Sequence, residues 1–179
     1  MNWQVIIDFW FRQTPPERWF MNDLEFDLTI QRVFGEWVPK AARGEFAGWR
    51  KNLEGRLAEI LILDQFSRNI YRGRPESFAQ DDLALKLAKE AIKDPLHWGL
   101  DKPEKTFLYM PFMHSENLED HEKAVELFSQ PGLETNLDFE FKHKAIIQEF
   151  GRYPHRNKIL GRESTPEEIE FLKKPNSSF

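Results

Sequence analysis

The reading of the chain turns on Leu53-Glu54-Gly55-Arg56-Leu57-Ala58-Glu59-Ile60-Leu61-Ile62-Leu63-Asp64-Gln65-Phe66-Ser67-Arg68-Asn69. Leu53, Leu57, Ile60 and Leu61 recur at three- and four-residue steps, and Gly73 with Pro75 punctuates the end. The stretch therefore predicts a long helix over 52–69. Asp64 and then Arg68 fall at the same spacing, where the stripe should stay apolar. The two are one helical turn apart and can meet. A partly buried ion pair with additional hydrogen-bond partners is expected there.

Outward from that stretch, almost every segment reads as helix. Trp3 to Phe11 is apolar nearly all round and predicts a buried first helix, stopped by Pro15-Pro16. With no basic lead and with Asp8 in it, this N-terminus is a poor signal peptide. Asp23 can cap a second helix running through Phe26, Ile30, Val33, Phe34 and Trp37, broken near Pro39. Helices are also expected over Ser77 to Lys93, from Asp101-Lys102-Pro103 with a kink or split at Pro111, and over Leu118 to Phe128. Two more follow over Leu137 to Phe150 and from the capping box Thr165-Pro166-Glu167-Glu168. No strand-like alternation extends beyond a few residues. The expectation is a single all-α domain over 1–179 with seven to nine helices.

Composition narrows the function classes. The 179 residues contain 0 Cys, which removes disulfides, thiolate zinc sites, iron–sulfur clusters and cysteine nucleophiles and fits the cytoplasm. A net charge of −5 argues against bulk binding of nucleic acid or anionic membrane. No apolar run approaches the roughly 18 residues of a membrane helix. The 16 Phe and 6 Trp predict a core of bulky interlocking rings.

Two further helices repeat the polar interruption. His143 lies four residues after Phe139, and His121 lies three after Leu118. His114 joins the latter stripe if that helix begins near Phe112. Imidazoles so placed need a carboxylate or carbonyl partner. For a metal, His114 and His121 stand about 10 Å apart along a straight helix and cannot chelate one ion. Glu140-Phe141-Lys142-His143 has the spacing of carboxylate-bridged di-metal bundles, but no second copy exists. No metal or cofactor is assigned; a metal would need a tertiary set such as His114, Glu116, His143 and His155. Ser115, between His114 and Glu116, is not part of a triad, because neighbours in sequence diverge on a helix. No nucleotide-binding glycine loop is present. Arginines gather around two turns, Arg68 to Arg74 and Arg152 to Arg162. The pairs Arg68-Asn69 and Arg156-Asn157 suit an anion or a backbone carboxylate, although arginines capping helix C-termini give the same pattern.

Three blocks carry a resemblance over the whole chain. They are Leu61-Ile62-Leu63-Asp64-Gln65-Phe66-Ser67-Arg68-Asn69 with Arg72-Gly73, then Phe107 to Glu116, and Phe150-Gly151-Arg152-Tyr153-Pro154-His155-Arg156-Asn157 with Leu160-Gly161-Arg162. The sequence resembles the bacterial proteins catalogued as domain of unknown function 924. It departs at Ser67, His121 and Tyr153, where that family usually has Pro, Gln and Phe. The resemblance implies a fold similar to tetratricopeptide repeats, with antiparallel helix pairs stacked into an arc. It leaves Asp64, Arg68, Asn69, His114, Glu116, His143, Arg152, His155, Arg156 and Asn157 as family-type positions.

Three readings follow. In the first, those residues line a pocket for a small anionic ligand or substrate. Arg68, Arg152 and Arg156 hold the anion, and His114 or His143, oriented by Glu116 or Asp64, transfers protons. Trp10, Phe11, Phe66, Tyr109 and Phe112 wall it. In the second, the chain is an interaction module that clamps a peptide. In the third, the polar blocks form a structural network. Whether the chain is an enzyme, and its oligomeric state, are left open.

Overall fold

Side-chain caps set many of the helix starts in this computed structural model, which describes residues 1–178. Asn2 accepts from the Gln4 N–H and opens α1 (Trp3–Ile7), which runs on as a π-turn over Asp8–Gln13. Asp23 accepts from the Phe26 N–H and opens α2 (Leu24–Phe34). Next comes α3 (Trp37–Ala42), with Pro39 in its first turn. That proline does not break a helix here, because first-turn N–H groups have no intrahelical acceptor to lose. α4 (Leu53–Leu61) passes through a π-turn, Ile62–Phe66, into α5 (Ser67–Ile70), making one rod. α6 (Asp81–Ala91), α7 (Lys102–Met113), α8 (Leu118–Phe128) and α9 (Glu134–Phe150) follow. α10 (Asn157–Leu160) and α11 (Pro166–Leu172) end the chain.

Capping boxes start α7, from Asp101 and Glu104, and α11, from Thr165 and Glu168. Pro111 does not split α7. It falls in the last turn, two residues before the helix stops, so little helix remains to redirect. With α4 and α5 taken as one rod, the described residues contain ten helices and no strand. The expected seven to nine fell short because α3 and α10, of 6 and 4 residues, are too short to show a period. Among the described residues no helix is long and apolar enough to cross a membrane.

The rod over 53–70 is the centre of the molecule. Leu57, Ala58, Ile60, Leu61, Ile62, Leu63 and Phe66 are fully buried, and α1, α6 and α7 pack around them. Aromatic rings fill the gaps: Trp10 lies 5.3 Å from Phe107, edge to face, and 5.7 Å from Phe66. Edge-to-face pairs add about 1 kcal/mol each beyond the area they bury. From α7 onward the helices pack in succession, α7 on α8 and α8 on α9. A satellite apolar cluster of Ile146, Ile147 and Tyr153, with Phe150 and Phe171 against it, seats the C-terminal turns. Gly151 at φ 69° and Gly161 at φ 66° reverse the chain there, in the left-handed region that favours glycine.

Candidate functional site

The three sequence blocks converge. The end of the rod and the turn after it supply Gln65, Arg68, Asn69 and Arg72 to a cavity of about 720 Å³, and the end of α7 supplies Met110, Met113 and His114. The turn after α9 adds Tyr153, His155 and Arg156, while α9 itself adds Phe139 and His143.

The π-turn buries Asp64 beneath this wall with its side chain 1% exposed. Its Oδ1 accepts from Arg68 Nη1 at 3.0 Å and from His114 Nδ1 at 2.6 Å, and its Oδ2 accepts from Gln65 Nε2 at 2.5 Å. Burial alone would raise the Asp64 pKa, but Arg68 and then His114 overcome it and hold the carboxyl well below the usual carboxylate range. An ionised carboxylate has no proton to give, so Nδ1 of His114 carries the hydrogen. In the neutral ring the lone pair is then on Nε2. Burial, followed by the Arg68 charge, pushes the His114 pKa down. Arg68 also grips Asp81 at 2.7 and 2.9 Å.

Arg156 is enclosed differently. Its guanidinium carbon lies 4.6 Å from the ring centres of both Phe78 and Tyr153. Nη2 donates to the His114 carbonyl at 2.9 Å and Nη1 to Asp81 at 3.3 Å, while the buried Nε has no hydrogen-bond partner. Tyr153 is a hub: its hydroxyl donates to the Met113 carbonyl at 2.5 Å. The rings of His155, His143 and His121 stand 5.5, 5.8 and 6.2 Å from it. His143 Nδ1 donates to the Phe139 carbonyl at 2.7 Å, and burial drives its pKa down to about 3. Burial, then the Arg156 charge, takes His155 to about 4. Near the rim, Asn69 and Arg72 both donate to Asp27, at 2.7 and 2.6 Å.

Other predicted residues lie elsewhere. Glu116 accepts from Arg162 at 2.7 and 2.9 Å and from the Tyr153 N–H at 2.7 Å. Arg152 is bidentate on Glu168 at 2.7 and 2.8 Å, and Asn157 donates to Ser164 and Glu168. These three fasten the C-terminal turns and do not line the cavity, because their partners draw them towards α11. His114 is the C-cap of α7 rather than part of α8, since Asn117 caps α8 only after it. Glu140 turns to His121, 2.7 Å away. Among the described residues no three His, Asp or Glu side chains are grouped to hold a metal, so the tertiary metal set does not form. Ser115 Oγ donates to Asp120 at 2.7 Å.

The expected walls are also replaced. Trp10, Phe66, Tyr109 and Phe112 are core residues, because the stripe that buries them faces the rod, and Phe11 packs beside them. Trp19, Phe20, Phe78 and Phe139 wall the cavity instead. Sequence reasoning missed Gln65, Phe78, Lys102 and Asn136 in the lining. Gln65 follows Leu57 and Leu61 at four-residue steps, a polar interruption readable in the sequence, whereas only tertiary packing brings Phe78, Lys102 and Asn136 to the cavity.

Comparison with known proteins places the chain. The model of a family described as bacterial protein of unknown function (DUF924) matches residues 6–176. The chain belongs to that family. A solved structure similar to this DUF924 chain is that of a protein of unknown function from Agrobacterium tumefaciens. It has a TM-score of 0.90 and 38% identity, with 96% of each chain covered. No curated protein matches this DUF924 sequence.

Proposed function

We propose that the cavity binds a small organic anion. The observation that carries this is the sign of its lining. Arg68, Arg72, Arg156 and Lys102 line it and no Asp or Glu does, in a chain with 30 acidic and 25 basic residues. The balancing carboxylates of Asp27, Asp64 and Asp81 stand behind the guanidiniums, so the cavity side of each pair is its positive end. A low-dielectric cleft of that polarity attracts negative charge. Asn69, His114, His143 and His155 supply further polar groups, and apolar walls exclude water. His114 and His143 are the proton-transfer candidates, each with Nδ1 committed to an oxygen acceptor.

A thermal-shift panel of organic carboxylates and phosphates tests this. Stabilisation of the wild type that disappears in Arg156→Ala supports it. No shift with any anion refutes it.

A second reading, a purely structural network, is favoured by how many of these groups already satisfy one another. It is separated from the first by variants that keep full stability yet lose ligand. The succession of α7, α8 and α9 is consistent with a tetratricopeptide-like stack, which belongs to the peptide-clamp version of the proposal. The cytoplasm is the compartment this proposal assigns.

A further inference from the structure

The charges around the polar end of the cavity cancel. Arg68, Arg72 and Arg156 are matched by Asp27, Asp64 and Asp81, which they contact directly. Next to them Glu116 is matched by Arg162. Lys102, at the far end, lies over Gly132, and its charge acts on Glu134. An anion entering meets the positive ends of these pairs but no net charge to balance its own. His114, on the same wall with its Nδ1 held by Asp64, is the imidazole that can supply the missing positive charge by taking a proton on Nε2. A monoanion needs one such proton; a dianion needs a second, and burial keeps the neighbouring His143 and His155 neutral.

Donor supply points the same way. The guanidinium wall is largely committed, and Arg156 Nε is a buried N–H with no partner. One such donor, with one protonated imidazole, satisfies the two oxygens of a carboxylate. It does not satisfy the three oxygens of a phosphate ester. The remaining cavity is long and apolar. Along α7 the lining runs from Lys102 to Met113, roughly 16 Å at about 1.5 Å per residue. Trp19, Phe20, Met110, Leu133 and Phe139 face it.

Resting on the anion reading above, we infer that the ligand is a free monocarboxylic acid with an extended apolar body, taken up together with one proton. The carboxylate sits against Arg156 Nε, and the apolar body lies along α7 and α9.

Calorimetric titration of the whole protein with decanoate, decyl phosphate, decanol and acetate tests this. Each is run at pH 7 in two buffers of different ionisation enthalpy. The expected result is tightest binding of decanoate, with close to one proton taken up per ligand. Its affinity should fall about tenfold per pH unit above neutrality, the slope of a one-proton linkage. Phe139→Ala, at a half-exposed rim position, should weaken decanoate severalfold without lowering the melting temperature. Arg156→Lys should weaken it more than tenfold. Tighter binding of decyl phosphate, or decanoate binding without proton uptake, overturns this inference and leaves the anion reading standing. Acetate or decanol binding as well as decanoate overturns it too. Failure of every anion removes both.

Discussion

Replacing Asp64 by Asn removes one charge and almost no volume. In the native protein both carboxylate oxygens accept: Oδ1 from Arg68 and His114, Oδ2 from Gln65. An amide offers one oxygen and one NH2, so either orientation sets a donor against a donor. Breaking one side of a buried ion pair costs about 3–5 kcal/mol. Arg68 keeps its two bonds to Asp81, which softens the loss. The expected destabilisation by Asp64→Asn is therefore about 3 kcal/mol at pH 7, read from the urea midpoint at unchanged slope. The pH dependence gives a second check. The folded pKa of Asp64 lies below its unfolded value of about 3.9, so its contribution is complete above that value. It is lost as pH falls from there towards the folded pKa. The gap between wild type and Asp64→Asn should be constant from pH 5 to 8 and shrink under acid. A cost under about 1 kcal/mol at pH 7, or a gap that widens as pH falls, refutes the assignment of an ionised, multiply bonded Asp64.

Glu140→Gln should behave in the opposite sense. Burial raises the Glu140 pKa and His121 offsets it only in part, so stability is present below the unfolded value of about 4.3 and erodes as pH rises through the folded one. Glu140→Gln escapes that loss and should cost less than about 1 kcal/mol at pH 8, with urea midpoints favouring it more at pH 8 than at pH 5; a loss above about 3 kcal/mol there would mean an ionised pair with His121. Glu168 is held down to about 2, chiefly by Arg152, so the clamp should persist above about pH 4.3 and weaken as pH falls through 2. Glu168→Gln should cost about 1–2 kcal/mol at pH 7 and speed amide exchange over 150–172 before the rest of the chain; uniform acceleration across all helices would contradict that localisation.

Much of the fold was legible because its determinants are local. Leu118–Phe128 matches the expected bounds, since Asn117 caps one end and Pro131-Gly132 closes the other. The Asp64–Arg68 pair was legible because opposite charges one turn apart on an apolar stripe must pair in order to be buried. Its third member, Asp81, was not, because thirteen residues and a change of helix separate it from Arg68. The π-turn over Ile62–Phe66 left no mark either, as its residues suit an ordinary helix equally well. Glu116, Arg152 and Asn157 show the limit in the site. A charged residue on a turn can face a cavity or a neighbouring carboxylate, and only the position of Arg162, Glu168 and α11 decides which.

The satellite cluster has a kinetic consequence. Tyr153, His155 and Arg156 stand on a segment that has its own small apolar seat and is fastened to the rest by guanidinium–carboxylate clamps. Segments held by few apolar contacts open before the global core does. Each such opening swings one wall of the cavity aside. The residence time of an enclosed ligand is then set by how firmly the C-terminal turns are latched, and less by the width of the opening.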